Sequence, residues 1–480
     1  MPTERAIRFA DRLNLIQIAA WTLLALRVLP SHGHFLYDEA YFYHQAIALA
    51  GHPTLPAYGP PISGTDPTAF TPGGLLYVVL SVPFFFVTDP RAGVMWLIVL
   101  SALGVWWLDR AFKTYGIAPE IRVFVIAIMT WTGWHAREVD RIWNTHVFWG
   151  LPAAMLAVTL LLMRKPAAQS WMLMSVFGAL CALAVQAHLG GGLAVAACGF
   201  LLLSGNIENR WSLRRWLPFA LVVCLLYLPY IVVECTHSFQ DLHWMASSHA
   251  FTRWNQAAAT TGSLAPFSYL SVFPGSPDPR QTVHELLDSV SLGNALRIGF
   301  VLLSAGGVAL FFSRPSPLRL FVIFCWAIIP VYVILNQREF YDSYVAALMP
   351  YFSIPLGWGL ATLFRKGRWH AGLSVAFLGL WVIVQSASWV PEYLADSHVP
   401  TLKSQLVRAR TAGAYPLPVG IGDVDAFVLW SLAEHHYQRD LPFLVQDLDR
   451  VCHVRVGARP LNVLTAPLGW DSYFVIGYRV

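Results

Sequence analysis

The sequence predicts an all-α polytopic membrane protein that ends in a small α/β domain. Of its 480 residues, 56% are hydrophobic and only 12% are charged, which is about half the charged share of an ordinary soluble domain. Mean hydropathy is +0.53. A water-soluble fold of this length needs far more polar surface, so the excess apolar side chains are expected to face lipid.

Long apolar runs recur along the chain up to residue 390, and they supply the predicted transmembrane helices. A helix needs about 20 apolar residues to cross the hydrocarbon core, and by that measure the chain has about 11 spans. They cover residues 13–30, 92–109, 120–136, 146–163, 171–187, 190–204, 216–233, 295–312, 319–335, 344–363 and 371–390.

Basic residues predict which side of the membrane each loop faces. An arm with Arg5, Arg8 and Arg12 precedes the first span, and no small-x-small cleavage site follows it, so we expect an uncleaved first helix. The basic loops share the side of this arm, which is the positive-inside pattern. We therefore predict a bacterial inner-membrane protein with a cytoplasmic N-terminus and a periplasmic C-terminus. The basic loop residues are Arg110, Lys113, Arg122, Arg164, Lys165, Arg210, Arg214, Arg215, Arg314, Arg319, Arg365, Lys366 and Arg368.

A twelfth apolar run, at residues 73–88, is predicted not to cross. It is short, holds Pro83 near its middle and starts with Gly73-Gly74. If it crossed the membrane, every later loop would change sides and the charge pattern would invert against the N-terminal arm. We therefore predict a re-entrant or interfacial helix.

Three long segments are predicted on the periplasmic side: the loops 31–72 and 234–294, and the tail 391–480. We divide the chain into a membrane domain, 1–390, and a C-terminal domain, 391–480. Alternation of apolar and polar residues predicts strands in the tail, together with one helix. The strands are 418–421, 442–445 and 473–476, and the helix is 425–439.

Two carboxylates, Asp38 and Glu39, closely follow the first span. A carboxylate held at the membrane surface could deprotonate a hydroxyl or bind a metal. The alternative is structural, because Asp38 is also a good N-cap for a helix through residues 40–49.

A second polar cluster lies between the third and fourth spans, on the same side as Asp38. Its arginines could hold a phosphate bidentately, and its amide could donate to a leaving oxygen or complete a metal site. Internal ion pairing is the alternative. The cluster consists of Arg137, Glu138, Asp140, Arg141 and Asn144.

Two further candidates lie at predicted periplasmic turns. His188 precedes Gly190-Gly191-Gly192, whose small residues allow close approach of a ligand or of another helix. The alternative for His188 is a hydrogen-bonded structural histidine. Arg338, Tyr341 and Tyr344 form a patch between the ninth and tenth spans, where interfacial anchoring by tyrosine is the alternative.

The sequence lacks several motifs that would indicate other classes of function. The chain has no Walker A lysine loop and no CxxC, and His284-Glu285 lacks the second histidine of a zinc-protease motif. The basic residues sit at the ends of apolar runs, so the net charge of +5 indicates topology rather than a nucleic-acid partner. A reaction on the outer face without nucleotide needs an activated substrate carried by membrane lipid.

The order of motifs resembles the GT-C superfamily of membrane glycosyltransferases, over about residues 10–360. Within it, the chain is most similar to the glycosyltransferase family 39-like group, which is related to protein O-mannosyltransferases and lipid A aminoarabinose transferases. The matching pieces are Tyr37-Asp38-Glu39-Ala40-Tyr41, Phe70-Thr71-Pro72-Gly73-Gly74-Leu75-Leu76-Tyr77, Arg141-Ile142-Trp143-Asn144, Gln186-Ala187-His188-Leu189, and Phe340-Tyr341-Asp342-Ser343-Tyr344 with Pro350.

This resemblance implies a polyprenyl-phosphate-linked sugar as donor. It also implies inverting transfer of a hexose or pentose to a hydroxyl of a glycan, lipid or protein. Asp38 matches the catalytic aspartate, which accepts the acceptor's proton, and Glu39 is its usual neighbour. Alternatives to an enzyme are a transporter or flippase of lipid-linked sugars, or a non-catalytic membrane scaffold.

Two departures from the family pattern affect the expected site. Thr71 stands where some relatives carry Lys, and Asn144 stands where some carry Asp. The phosphate contact is then expected from Arg137, Arg141 or Arg338. A second carboxylate, if the reaction needs one, would be Glu138 or Asp140. The two departures argue against a divalent-metal site without excluding one.

Overall fold

The computed structural model of the chain covers most of the predicted membrane domain and three strands of the tail. It describes residues 3–32, 37–61, 70–87, 91–140, 142, 149–164, 170–188, 190–204, 213–239, 306–313, 317–336, 342–395, 415–419, 460–468 and 471–478.

The described residues are mostly helical. Each of the predicted spans overlaps helical residues, and residues 306–312 form a further helical segment. The helices are α1 (Glu4–Val28), α2 (Tyr37–Gly51), α3 (Leu75–Ser81), α4 (Arg91–Tyr115), α5 (Pro119–Trp131), α6 (Gly133–Val139), α7 (Gly150–Arg164), α8 (Ser170–Ala187), α9 (Gly191–Ser204), α10 (Leu213–Thr236), α11 (Pro317–Asn336), α12 (Ser353–Phe364) and α13 (Arg368–Ala395).

Two predicted spans are not single regular α-helices. The span 120–136 divides into α5 and α6 at Thr132, whose ψ of 139° is extended. The amide of Gly133, at the start of α6, donates to the Gln385 side chain of α13, so the break is held by tertiary contact. The span 344–363 begins as a 3-10 helix, Asp342–Phe352, which contains Pro350, and continues as α12.

The apolar run 73–88 does not form one long helix. It forms α3 and then a 3-10 turn, Val82–Phe85, in which Pro83 sits at the start. Helix and turn together rise about 18 Å, against a hydrocarbon core of about 30 Å. This short rise is consistent with the prediction that the run does not cross the membrane, which stays a prediction.

Four stretches of the described chain are long and apolar enough to cross a membrane: Arg91–Tyr115, Arg214–Thr236, Ala346–Phe364 and Arg368–Ser386. Shorter apolar helices include Gly150–Arg164 and Trp171–Ala187. Only 11% of the apolar window of Arg214–Thr236 is buried inside the protein. Exposed leucine and isoleucine side chains along that helix, including Leu221, Leu225 and Ile231, are expected to contact lipid.

Small residues bring α4 and α7 into close contact. A methyl group added at Gly104 would overlap the backbone of Gly150, and one added at Gly150 would overlap Ser101. Apolar helices in lipid gain little from the hydrophobic effect, so close backbone approach is one of the main sources of their association. The α4–α7 pair is therefore expected to be sensitive to side-chain size.

The substitution Gly104→Ala tests this packing. We expect it to destabilise the protein by about 1–3 kcal/mol, because the overlap is with backbone that cannot rotate away. Thermal unfolding in detergent micelles gives the measurement. Gly199→Ala is the matched control, since open space surrounds Gly199 in α9, and it should not lower the unfolding temperature. Unfolding of Gly104→Ala at or above the wild-type temperature would contradict the close packing.

A buried ion network ties α1, α4 and α5 together on the predicted cytoplasmic side. Arg122 is 1% exposed and donates to both carboxylate oxygens of Asp109 at 2.9 Å and to Asp11 at 2.6 Å. Asn14 also donates to Asp109, at 2.6 Å. Burial raises the pKa of the Asp11 carboxyl, but hydrogen bonds and charges from Lys113 and Arg122 outweigh this effect and lower it. The basic residues that predicted the topology therefore also join three helices.

The tail contains a three-stranded antiparallel sheet in the order β3-β5-β4. The strands are β3 (Tyr415–Val419), β4 (Pro460–Leu468) and β5 (Asp471–Tyr478). β5 contains the predicted strand 473–476 and β3 overlaps 418–421, whereas β4 was not predicted. The predicted strand 442–445 and helix 425–439 lie outside the described residues.

Candidate functional site

Segments from distant parts of the sequence meet around α3. α2 packs against α3, α3 packs against α8, and α8 packs against α10. A short hairpin precedes α3, in which β1 (Tyr58–Pro61) pairs antiparallel with β2 (Phe70–Pro72) and touches both α3 and α8. Three motifs of the family resemblance, beginning at Tyr37, Phe70 and Gln186, are thereby brought into one region on the predicted periplasmic side.

Gln186, the last residue but one of α8, is at the centre of this region and is fully buried. Its side-chain oxygen accepts the backbone N–H of Leu75 at 3.0 Å, and its nitrogen donates to the carbonyl of Leu226 in α10 at 3.2 Å. The sequence analysis placed Gln186 in a motif but gave it no role.

α2 packs on α3 through aromatic side chains. The rings of Phe42 and Tyr77 lie 5.9 Å apart, and Tyr43 meets Phe84 edge-on at 5.3 Å. α2 begins at Tyr37, so Asp38 and Glu39 lie inside its first turn, and Asp38 is not its N-cap as the structural alternative proposed. Carboxylates in the first turn interact favourably with the helix dipole. The side chains of Asp38 and Glu39 lie outside the described part of the structure.

Glu234, on the last turn of α10, is a buried carboxylate beside the hairpin. It is 1% exposed, and the Tyr58 hydroxyl lies 3.5 Å from its Oε1. Among the described residues its Oε2 has no hydrogen-bond partner. The sequence analysis missed this residue because it follows the apolar run 216–233 and was counted as the start of a loop. A single acid at the end of an apolar run was the available signal.

Replacing Glu234 with methionine should raise the unfolding temperature of the protein. Methionine has a similar volume and needs no hydrogen bond, whereas a buried carboxylate with one long hydrogen bond is costly. Thermal unfolding in detergent at neutral pH measures the effect, with Glu4→Met at an 85% exposed side chain as the control. A lower unfolding temperature for Glu234→Met than for the wild type would show that the carboxylate is stabilising.

α6 is held at its base by His135, which is fully buried. Its imidazole stacks on Trp21 at 3.8 Å and lies nearly parallel to Trp149 at 4.9 Å. Its Nδ1 contacts the Thr130 carbonyl at 2.9 Å, and its Nε2 contacts the Ser101 hydroxyl of α4. Its sequence neighbours indicate no role for His135, since Trp21 and Ser101 lie on other helices.

The structure places only part of the second predicted cluster. Arg137 and Glu138 lie on α6, with side chains outside the described part, and Arg141 and Asn144 lie outside it altogether. Asp140 follows α6 directly and is 1% exposed. The His135 contacts therefore fix the helix that carries Arg137 and Glu138.

The remaining candidates lie at two other turns. The Nδ1 of His188 accepts the backbone N–H of Gly190 at 2.9 Å, and burial lowers the pKa of His188 to about 4. A local hydrogen bond of this kind is expected if His188 has a structural role, which was the alternative to ligand binding. Tyr344 lies in the 3-10 helix before α12, with its side chain outside the described part, and Arg338 and Tyr341 lie outside it. Within the described residues, no three His, Cys, Asp or Glu side chains are grouped to hold a metal ion.

Comparison with known structures identifies the fold. No family model matches the chain, and no curated protein matches its sequence. The structure is similar to the crystal structure of ArnT from Cupriavidus metallidurans in the apo state, with a TM-score of 0.57 and 13% identity over 96% of this chain and 97% of that chain. ArnT is a GT-C glycosyltransferase. The chain has the GT-C fold.

Two other GT-C proteins match with lower scores. The archaeal oligosaccharyltransferase AglB from Archaeoglobus fulgidus, in complex with an inhibitory peptide and a dolichol-phosphate, has a TM-score of 0.44 and 11% identity, over 83% of this chain and 58% of that chain. The arabinofuranosyltransferase AftD from mycobacteria has a TM-score of 0.42 and 16% identity, over 84% and 29%. The assignment of the GT-C fold rests on ArnT.

The GT-C fold extends further along the chain than the sequence resemblance does. The motifs cover about residues 10–360, whereas the match to ArnT covers 96% of the chain and therefore includes most of the region beyond residue 390. The family motifs, by contrast, lie outside the tail.

Proposed function

We propose that this chain is an integral-membrane glycosyltransferase of a bacterial inner membrane. It transfers a monosaccharide from a polyprenyl-phosphate donor to a hydroxyl of a glycan, lipid or protein on the periplasmic face, with inversion. The observation that carries this proposal is the ArnT-like fold over 96% of the chain. The meeting of the Tyr37, Phe70 and Gln186 motifs around α3 supports it.

The chemistry assigns a role to each candidate group. An acceptor hydroxyl must lose a proton as it attacks the anomeric carbon, and Asp38 accepts that proton as general base. The bond between the anomeric carbon and the phosphate oxygen breaks in the same step, and the polyprenyl phosphate leaves with the electron pair. Cationic side chains stabilise the leaving phosphate, and Arg137, Arg141 and Arg338 are the candidates for this role.

Other residues and two periplasmic segments are proposed to recognise the sugar and the acceptor. Seven further residues are proposed to contact the sugar or the acceptor, or to orient the residues that do. They are Glu39, Glu138, Asp140, Asn144, His188, Tyr341 and Tyr344. The periplasmic loop 234–294 and the C-terminal domain, 391–480, are proposed to select the acceptor, because the two are the longest segments on that side.

Mass spectrometry of the cell envelope tests the proposed function. Glycans, lipids and envelope proteins from a strain that lacks this chain should have lost one hexose or pentose. Reintroducing the wild-type chain should restore the sugar. An envelope that is unchanged in every fraction would contradict the proposal, and the missing sugar, once found, identifies donor and acceptor together.

A further inference from the structure

The start of α3 is capped from another helix. The first N–H groups of any helix lack partners within it, and the N-cap position of α3 is Gly74, which has no side chain to supply an acceptor. Gln186 of α8 supplies it instead, since its Oε1 accepts the N–H of Leu75 at 3.0 Å. The other end of the same amide bonds to Leu226 of α10. One side chain therefore joins α3 to two apolar helices.

Gly73 is adapted to this amide. Its φ of +84° lies in the left-handed region, which favours glycine. A methyl group added at Gly73 would also overlap the amide group of Gln186. The backbone that links β2 to α3 thus lies directly on the Gln186 side chain, so a change in the amide would move this link.

The position of α3 in turn determines the position of Asp38. Phe42 is four residues after Asp38 in α2, so the two residues lie on the same face of that helix. Phe42 is 2% exposed and packs on Tyr77 of α3. A continuous series of contacts therefore runs from Gln186 through Leu75 and Tyr77 to Phe42, and ends one helical turn from the proposed base.

We propose that Gln186 is a positioning residue of the transfer reaction, which holds α3, and through it the first turn of α2, at the height where Asp38 meets the acceptor hydroxyl. This inference rests on the proposed function. Misplacing a catalytic group by about 1 Å can lower the rate about 100-fold. Loss of the Gln186 amide should therefore lower kcat and leave donor binding almost unchanged.

The test compares substitutions at Gln186 in proteoliposomes. The donor is a polyprenyl-phosphate-sugar extract of the native membrane, and the product is polyprenyl phosphate measured by mass spectrometry. Gln186→Met removes both hydrogen bonds and should lower kcat at least tenfold, with KM for the donor within about twofold of the wild type. Gln186→Glu keeps the acceptor for Leu75 and should recover part of kcat. Gln17→Met, at a glutamine of α1 that bonds to Asn14, is the matched control and should keep the wild-type kcat.

A double-mutant cycle separates positioning from general stability. As a single substitution, Gly73→Ala displaces the amide and strains the backbone at φ +84°, so it should lower kcat. Combined with Gln186→Met it should cost clearly less than the sum of the two single losses, because both disturb the same contact. Independent losses in kcat that add in the double variant would overturn the inference. An unchanged kcat, or a raised KM with unchanged kcat, in Gln186→Met would overturn it also. If Gln186→Met does not fold, Gln186→Glu and Gly73→Ala decide in its place, and wild-type kcat in both would overturn the inference.

Hydrogen exchange makes the outcome independent of the transfer assay. The amide of Leu75 should exchange faster in Gln186→Met than in the wild type, while amides of α4 stay protected. If the wild type transfers no sugar, the proposed function fails, whatever this exchange shows. If the wild type is active and exchange at residues 70–77 is unchanged in Gln186→Met, only the positioning role fails.

Discussion

Replacing Arg122 with methionine will destabilise the protein by about 3–5 kcal/mol, the loss expected when one partner of a buried ion pair is removed. Arg122 is 1% exposed and forms ion pairs with both Asp109, which is equally buried, and Asp11, which also pairs with Lys113. Methionine fills a similar volume. Among the described residues, the Asp109 carboxylate then keeps only the hydrogen bond from Asn14. Thermal or denaturant unfolding in detergent gives the measurement.

Two further variants make this prediction specific. Arg8→Met removes an arginine whose side chain is 66% exposed and whose partner is Glu4 one turn away, so the unfolding temperature should change little. Arg122→Met combined with Asp109→Leu removes both charges and should recover part of the loss, because the uncompensated carboxylate is gone. An unfolding temperature of Arg122→Met equal to that of the wild type would show that the network does not hold α1, α4 and α5 together.

The largest expected effect on activity comes from Asp38→Asn. Asparagine has nearly the same shape but cannot accept a proton, so sugar transfer should fall by about 100-fold or more. Insertion into the membrane and the unfolding temperature should stay close to those of the wild type. Transfer is measured as polyprenyl phosphate released in proteoliposomes.

Glu39→Gln is the matched control for Asp38→Asn. The two residues are adjacent in the first turn of α2, so both substitutions remove one negative charge from the same helix end. Transfer should fall much less in Glu39→Gln, because only Asp38 is assigned the proton. Equal losses in the two variants would indicate an effect of charge on the helix, and a fully active Asp38→Asn would remove Asp38 from the mechanism.

The sequence predicted the helices well because apolar length is a direct physical requirement of a membrane. The run 73–88 was predicted not to cross the membrane from Pro83, its length and the parity of the basic loops, and it forms the short helix α3 and a 3-10 turn. The break at Thr132 was not predicted, since the run 120–136 is long enough for one helix. It depends on Gln385 of α13, more than 200 positions away.

Strands in the tail were harder to predict because proline obscures them. β4 begins at Pro460 and contains Pro467, and a proline within a run argues against a central strand. Among the described strands, β4 is at an edge in the order β3-β5-β4, where a missing N–H is tolerated. β3, the other edge, also carries two prolines, Pro416 and Pro418. The central strand, β5, contains no proline and was the best predicted of the three.

The candidate site, too, was only partly predictable from the sequence. Motifs identified the relevant segments, but the importance of Gln186, Glu234 and His135 follows from partners on other helices or in the hairpin. Gln186 accepts a hydrogen bond from Leu75, which is 111 positions away in the sequence. Tyr58, whose hydroxyl faces Glu234, is 176 positions away from it. No local pattern encodes such contacts, and a polar residue inside or beside an apolar run was the only available sign.

The most direct test of the proposed transfer follows the fate of the donor. Proteoliposomes that contain the wild-type chain receive a polyprenyl-phosphate-sugar extract of the native membrane together with envelope glycans and lipids as acceptors. Mass spectrometry then measures the lipid with and without its sugar. We expect the wild type to convert the lipid to sugar-free polyprenyl phosphate, with a matching gain in acceptor mass, and Asp38→Asn to leave it intact. Movement of intact sugar-lipid to the other leaflet by both proteins, with no loss of sugar, would contradict a transferase and indicate a flippase.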